Sequence, residues 1–89
     1  MTGSTICIQR PGLKIQQVDD EMVLLDEENG YIHQLNHTAS FVWNQCDGKS
    51  SVTQITRRFA DEFEVDVSIA TSDVGRVIEQ LLELKLLQK

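Results

Sequence analysis

The hydrophobic pattern changes period once, after Leu35, from two residues to about 3.6, which commits the first part of the chain to short strands and the second to helices. Ahead of the change stand three alternating runs: Leu13 with Ile15 and Val18, then Met22 to Asp26, then Tyr31 to Leu35. Acidic turn segments, Asp19-Asp20 and Asp26-Glu27-Glu28-Asn29-Gly30, separate them. Asn29-Gly30 favours a two-residue type I′ hairpin because both residues tolerate positive φ. A three-stranded antiparallel meander is expected. Residues 1–12, small and polar and closing with Arg10-Pro11-Gly12, read as a flexible N-terminal arm, so the folded domain is expected over 13–89.

Three helices follow, each with its punctuation. Asn36 or Thr38 can cap the first, whose Ala39, Val42, Trp43 and Cys46 share a face, and Asp47-Gly48 ends it. Ser51-Val52-Thr53-Gln54 is a capping box, in which the Ser51 hydroxyl and the Gln54 amide each satisfy a backbone donor. Val52, Ile55, Phe59 and Phe63 then stripe the second helix. The third begins near Asp66 or Ser72, with Val74, Val77, Ile78, Leu81 and the aliphatic stem of Lys85 in one stripe. Gly75 inside it costs roughly 1 kcal/mol of propensity, and marks either a close backbone approach or a tolerated glycine.

At 89 residues there is room for one domain with a modest core, which leaves little depth for an active-site cleft. A net charge of −6 opposes nucleic-acid binding, whose affinity comes from clustered cations displacing counterions. Arg57-Arg58 is too small a basic spot, and the third helix sets Arg76 and Lys85 among Asp73, Glu79 and Glu83, a poor major-groove reader. A winged-helix DNA-binding regulator is therefore the alternative reading and not the leading one. Cys7 and Cys46 lack CxxC spacing, which fits reduced thiols in the cytoplasm. No window approaches the roughly 18 apolar residues of a membrane span, and the start lacks the apolar core of a secretory signal.

Chemically active constellations are sparse. His33, His37 and Cys46 could suggest a metal site or a Cys–His pair, but a strand histidine and a helix-start histidine do not share one helical face. No third group orients them, and Cys46 falls on an apolar face as a buried thiol. Asp26-Glu27-Glu28 reads as a solvated turn. No catalytic residue, metal or cofactor is expected, and the chain is not read as an enzyme. What remains is backbone, because a meander has two edges whose unpaired N–H and C=O groups an extended peptide can complete. If the third strand is an edge beside the third helix, Tyr31, Ile32, His33 and Gln34 form one wall of a groove, and Asp73, Arg76, Val77 and Gln80 the other.

Val23-Leu24-Leu25, Gly30-Tyr31, Leu35-Asn36 with Thr38-Ala39, Cys46-Asp47-Gly48 and Val52-x-x-Ile55, in that order, resemble the PqqD family. Asp73-Val74-x-x-Val77-Ile78-x-x-Leu81 and Leu86-Leu87 continue the resemblance, which covers about residues 13–88. It implies an α+β, winged-helix-like fold, a three-stranded antiparallel sheet followed by three helices, acting as a RiPP recognition element. By that resemblance the third strand (Tyr31, Ile32, His33, Gln34) and third helix (Asp73, Arg76, Val77, Gln80) hold the leader of a ribosomally made precursor peptide. They would present it to a modifying enzyme, either a radical SAM protein or a leader peptidase. The implied adaptor is a monomer or weak dimer with no cofactor, nucleic acid or membrane as partner. A third reading is a module whose open edge pairs with itself. Two departures from the family pattern bear on the helix register: Lys85 stands where many members carry Gly, and the interval from Phe63 to Asp73 is long.

Overall fold

Strict alternation from Glu21 to Asp26 gives one strand an inward face of Met22, Leu24 and Asp26 and an outward face of Glu21, Val23 and Leu25, and the fold is assembled on that inward face. The computed structural model describes residues 3–89. In chain order its elements are β1 (Ile6–Gln9), β2 (Lys14–Val18), β3 (Glu21–Asp26), β4 (Tyr31–Leu35), α1 (His37–Gln45), β5 (Asp47–Ser51), α2 (Val52–Phe63), α3 (Val67–Glu83) and β6 (Leu87–Gln88). β2, β3 and β4 form the expected antiparallel meander in that order. The register runs unbroken from Lys14↔Leu25 to Val18↔Glu21 and from Met22↔Leu35 to Asp26↔Tyr31. The fold class is α+β, as expected. Met22, Leu24 and Leu35 share a buried cluster with Trp43, Ile55, Phe59, Val74, Ile78 and Leu81, so the inward face of the meander and all three helices contribute to one core, with α1 against β3 and β4.

The 1–12 segment is not a loose arm where it is described; Met1 and Thr2 lie outside the described residues. β1 sits between β5 and β6 in a second three-stranded antiparallel sheet, with Cys7 buried between exposed Ile6 and Ile8. Its partners come from far along the chain, which local periodicity cannot reveal. Gly48 does take a left-handed φ of +81°, but inside β5 and not at a helix terminus, because α1 already stops at Gln45. The register against β1 slips there, and a Cβ on Gly48 would stand 3.0 Å from Ile8 Cδ1.

The helix punctuation is largely as read. Asn36 caps α1 by accepting from the Ala39 N–H at 2.9 Å, and the Ser51/Gln54 capping box is complete at the start of α2. α3 begins at Val67, the earlier of the two options. Its end differs from expectation. The Leu86 N–H donates to the Leu81 carbonyl at 2.9 Å and the Lys85 N–H to the Leu82 carbonyl at 3.0 Å, the paired bonds of a Schellman turn. Lys85 takes φ +60° there, so it leaves the apolar stripe and occupies the left-handed position that glycine adopts without cost. The Trp43 indole N–H donates to the Leu86 carbonyl at 3.0 Å, tying this turn to the core. Gly75 is a tolerated glycine, since a Cβ on it would meet no heavy atom within 4 Å.

Candidate functional site

β4 is launched by a turn that differs from the type I′ hairpin. Only Gly30 has positive φ, at +74°, and its N–H donates to the Asp26 carbonyl at 2.8 Å across a four-residue loop, 27–30. Asn29 acts through hydrogen bonds: its N–H and side-chain amide donate to the Asp26 carboxylate at 3.2 and 2.9 Å. Asp26 is therefore not a solvated turn residue. It is 3% exposed and also pairs with the Arg10 guanidinium at 2.8 Å, while the Arg10 N–H donates to the Leu86 carbonyl at 3.1 Å. The Asn29 side chain first, and Arg10 next, hold the Asp26 carboxyl down at about 2. Arg10 thus links the β3–β4 hairpin to the turn that ends α3.

That link frames a groove. Beyond β3, no described strand pairs with β4, so its outer edge is open. Pairing opposite Asp26 and Leu24 turns Tyr31 and His33 toward the helical side, their rings tilted and 6.0 Å apart. Facing them across a hollow of about 550 Å³ are Glu83, Leu84 and Lys85, with Arg10, Asp26 and Asn29 completing the lining. Ile32 and Gln34 point to the other face of the sheet, where Ile32 is 72% exposed beside Leu25 and Val23.

The eight residues expected to line the groove divide. Tyr31 and His33 line the hollow, whereas Ile32 and Gln34 flank the open edge from the outer face. At about 100° per residue, Asp73, Gln80 and Leu84 fall on one stripe of α3, so Gln80 and then Arg76 and Asp73 continue the surface that Leu84 and Glu83 begin. Arg76 is exposed and pairs with Asp73 at 2.9 Å. Val77 is mostly core, at 9% exposure. Arg10, Asp26 and the Glu83 to Lys85 turn were outside the expected set. Alternation from Met22 marks Asp26 as inward, but no signal marks Arg10.

The residues weighed for metal or thiol chemistry are dispersed. His33 lies in the groove, His37 packs edge-on against Phe63 at 4.8 Å, and Cys46 is fully buried with its thiol pushed up to about 12 by burial. Among the described residues no group of three His, Cys, Asp or Glu side chains could hold a metal ion, and no helix is long and apolar enough to cross a membrane.

The model of a known family, coenzyme PQQ synthesis protein D (PqqD), matches residues 21–87, a span that holds β3, β4, all three helices and every residue lining the groove except Arg10. The chain belongs to the PqqD family. No curated protein matches the chain, but solved structures do. Lasso peptide synthetase B1 complexed with the leader peptide is 27% identical, with a TM-score of 0.81 over 96% of this chain and 100% of that one. TbiB1 in complex with the TbiA(beta) leader peptide is 22% identical, with a TM-score of 0.80 over 91% of this chain and 94% of that one. The PqqD truncation of Methylobacterium extorquens PqqCD, described as a functional, stand-alone RiPP recognition element, is 22% identical. Its TM-score is 0.78 over 99% of this chain and 94% of that one. The last two establish the PqqD-like fold of this chain.

Proposed function

We propose that this PqqD-family chain is a stand-alone RiPP recognition element that binds the leader of a ribosomally synthesised precursor peptide and delivers it to a separate modifying enzyme. The observation that carries this reading is the open β4 edge running beside the hollow under the α3 turn, in a member of a family whose 27%-identical structural neighbour is complexed with a leader peptide. The leader adds as a strand along Tyr31 to Leu35. Each new backbone hydrogen bond contributes only about 0.5 to 1.5 kcal/mol net, so selectivity comes from side chains. Tyr31 and His33 contact leader side chains turned into the hollow; Ile32 and Gln34 contact those turned outward. Asp73, Arg76, Gln80 and the exposed rim of Val77 extend the wall along α3.

The chain takes no part in bond making and needs no cofactor. It raises the local concentration of substrate at the enzyme and fixes its register. Of the two enzyme classes, the likeness to a lasso synthetase component points to a leader peptidase and the PqqD family match to a radical SAM protein, and both stay candidates. The reduced thiols of Cys7 and Cys46 fit a cytoplasmic setting. The test is fluorescence anisotropy with a labelled synthetic peptide, the leader of a precursor encoded beside this chain's gene. Binding to the native chain, at least about tenfold weaker in Ile32→Asp and His33→Asp variants that keep their circular dichroism, is the expected result. Salt-sensitive binding to duplex DNA without peptide binding would favour the regulator reading instead.

A further inference from the structure

The meander has a second open edge. β2 pairs only with β3, all five of its residues are exposed, and Ile15 and Val18 stay 52% and 50% open. Natural edge strands are commonly protected by a proline, a bulge or an inward charge. β2 has an unbroken register, no proline, and a single charge, Lys14, at its start. We propose that β2 is the contact through which two copies of this chain associate, pairing antiparallel about a two-fold axis at Gln16 while β4 stays free. This goes beyond leader binding and does not depend on it.

The occupant follows from the strand's own sequence, which is self-complementary about its centre. With Gln16 opposite Gln16 of the second copy, each side-chain amide can donate to and accept from the other. Ile15 then faces Gln17, and Lys14 faces Val18, the residue that leads into the Asp19-Asp20 turn of the second copy. The basic end of one strand meets the acidic end of the other, and symmetry makes the contact twice. An axis at Lys14 or at Asp19 would instead oppose like charges. Gln16 lies on the outer face opposite Val23, beside Leu25 and Ile32, so pairing also joins the apolar outer patches of two sheets. The contact is small, which makes the dimer a high-concentration species.

Sedimentation velocity on the full chain, from about ten micromolar to about one millimolar, tests this. A concentration-dependent dimer is expected. Gln16→Lys and Gln16→Glu each oppose like charges across the axis at an exposed position and weaken it about fivefold, and an equimolar mixture of the two variants recovers a heterodimer at least as tight as the native pair. A chain monomeric throughout, a dimer indifferent to Gln16, or variants that do not complement each other would overturn the proposal. So would a dimer dissolved by the synthetic leader peptide, which would put the contact at β4.

Discussion

Asp26 ties the hairpin to the rest of the molecule, and its ionisation makes that tie depend on pH. Its folded value of about 2 lies below the ordinary 3.8, so the stabilisation is complete above about pH 4 and is lost as pH falls toward 2. Asp26→Asn is expected to melt at a lower temperature than the native chain at pH 7, with the difference narrowing as pH falls from about 4 through about 2; thermal melts across that range check it. Two other positions carry backbone arguments. Gly75→Ala is expected to stabilise by roughly 0.5 to 1 kcal/mol, since the site is helical and open and alanine loses less entropy on folding. Lys85→Gly is expected to stabilise by about 1 kcal/mol by relieving the left-handed backbone, whereas Lys85→Val destabilises; urea unfolding separates the two. Asp26 was legible as an inward residue from alternation alone, but its solvated-turn context hid that, and Arg10 was hidden because its partner is distant in sequence.

Elements with a long, regular period were the legible ones. The alternation of β3 and β4, the stripes of α2 and α3 and the Ser51/Gln54 box all carry their structure in neighbouring residues, and the fold follows them. Ser51→Ala removes the hydroxyl that accepts from the Gln54 N–H and is expected to cost about 1 kcal/mol, read by chemical unfolding. β1, β5 and β6 were not legible. They span four, five and two residues, and their pairing is decided by contacts between the two ends and the middle of the chain. The α3 end was misread for a related reason: Lys85 is a good helix former, and only the buried Leu86 and the Trp43 hydrogen bond require the chain to turn there.

At the scale of the whole molecule, the second sheet gives the groove its position. β1 runs on into Arg10, β6 follows directly from the α3 turn, and the two pair, so the floor and far wall of the groove are fixed by one small sheet while β4 supplies the near wall. The existence of a strand-and-helix groove could be read from periodicity and from the PqqD resemblance. Its depth at the Glu83 to Lys85 end could not, because that depends on a turn and an ion pair with no local signature. Amide hydrogen exchange followed by NMR, with and without the synthetic leader peptide, tests the central claim most directly. Strand addition predicts slowed exchange within 31–35 and shifted resonances at Gln80, Glu83 and Leu84, with 14–18 unchanged. Protection confined to β2 or to the α2–α3 face, or none in β4 at saturating peptide, would contradict it.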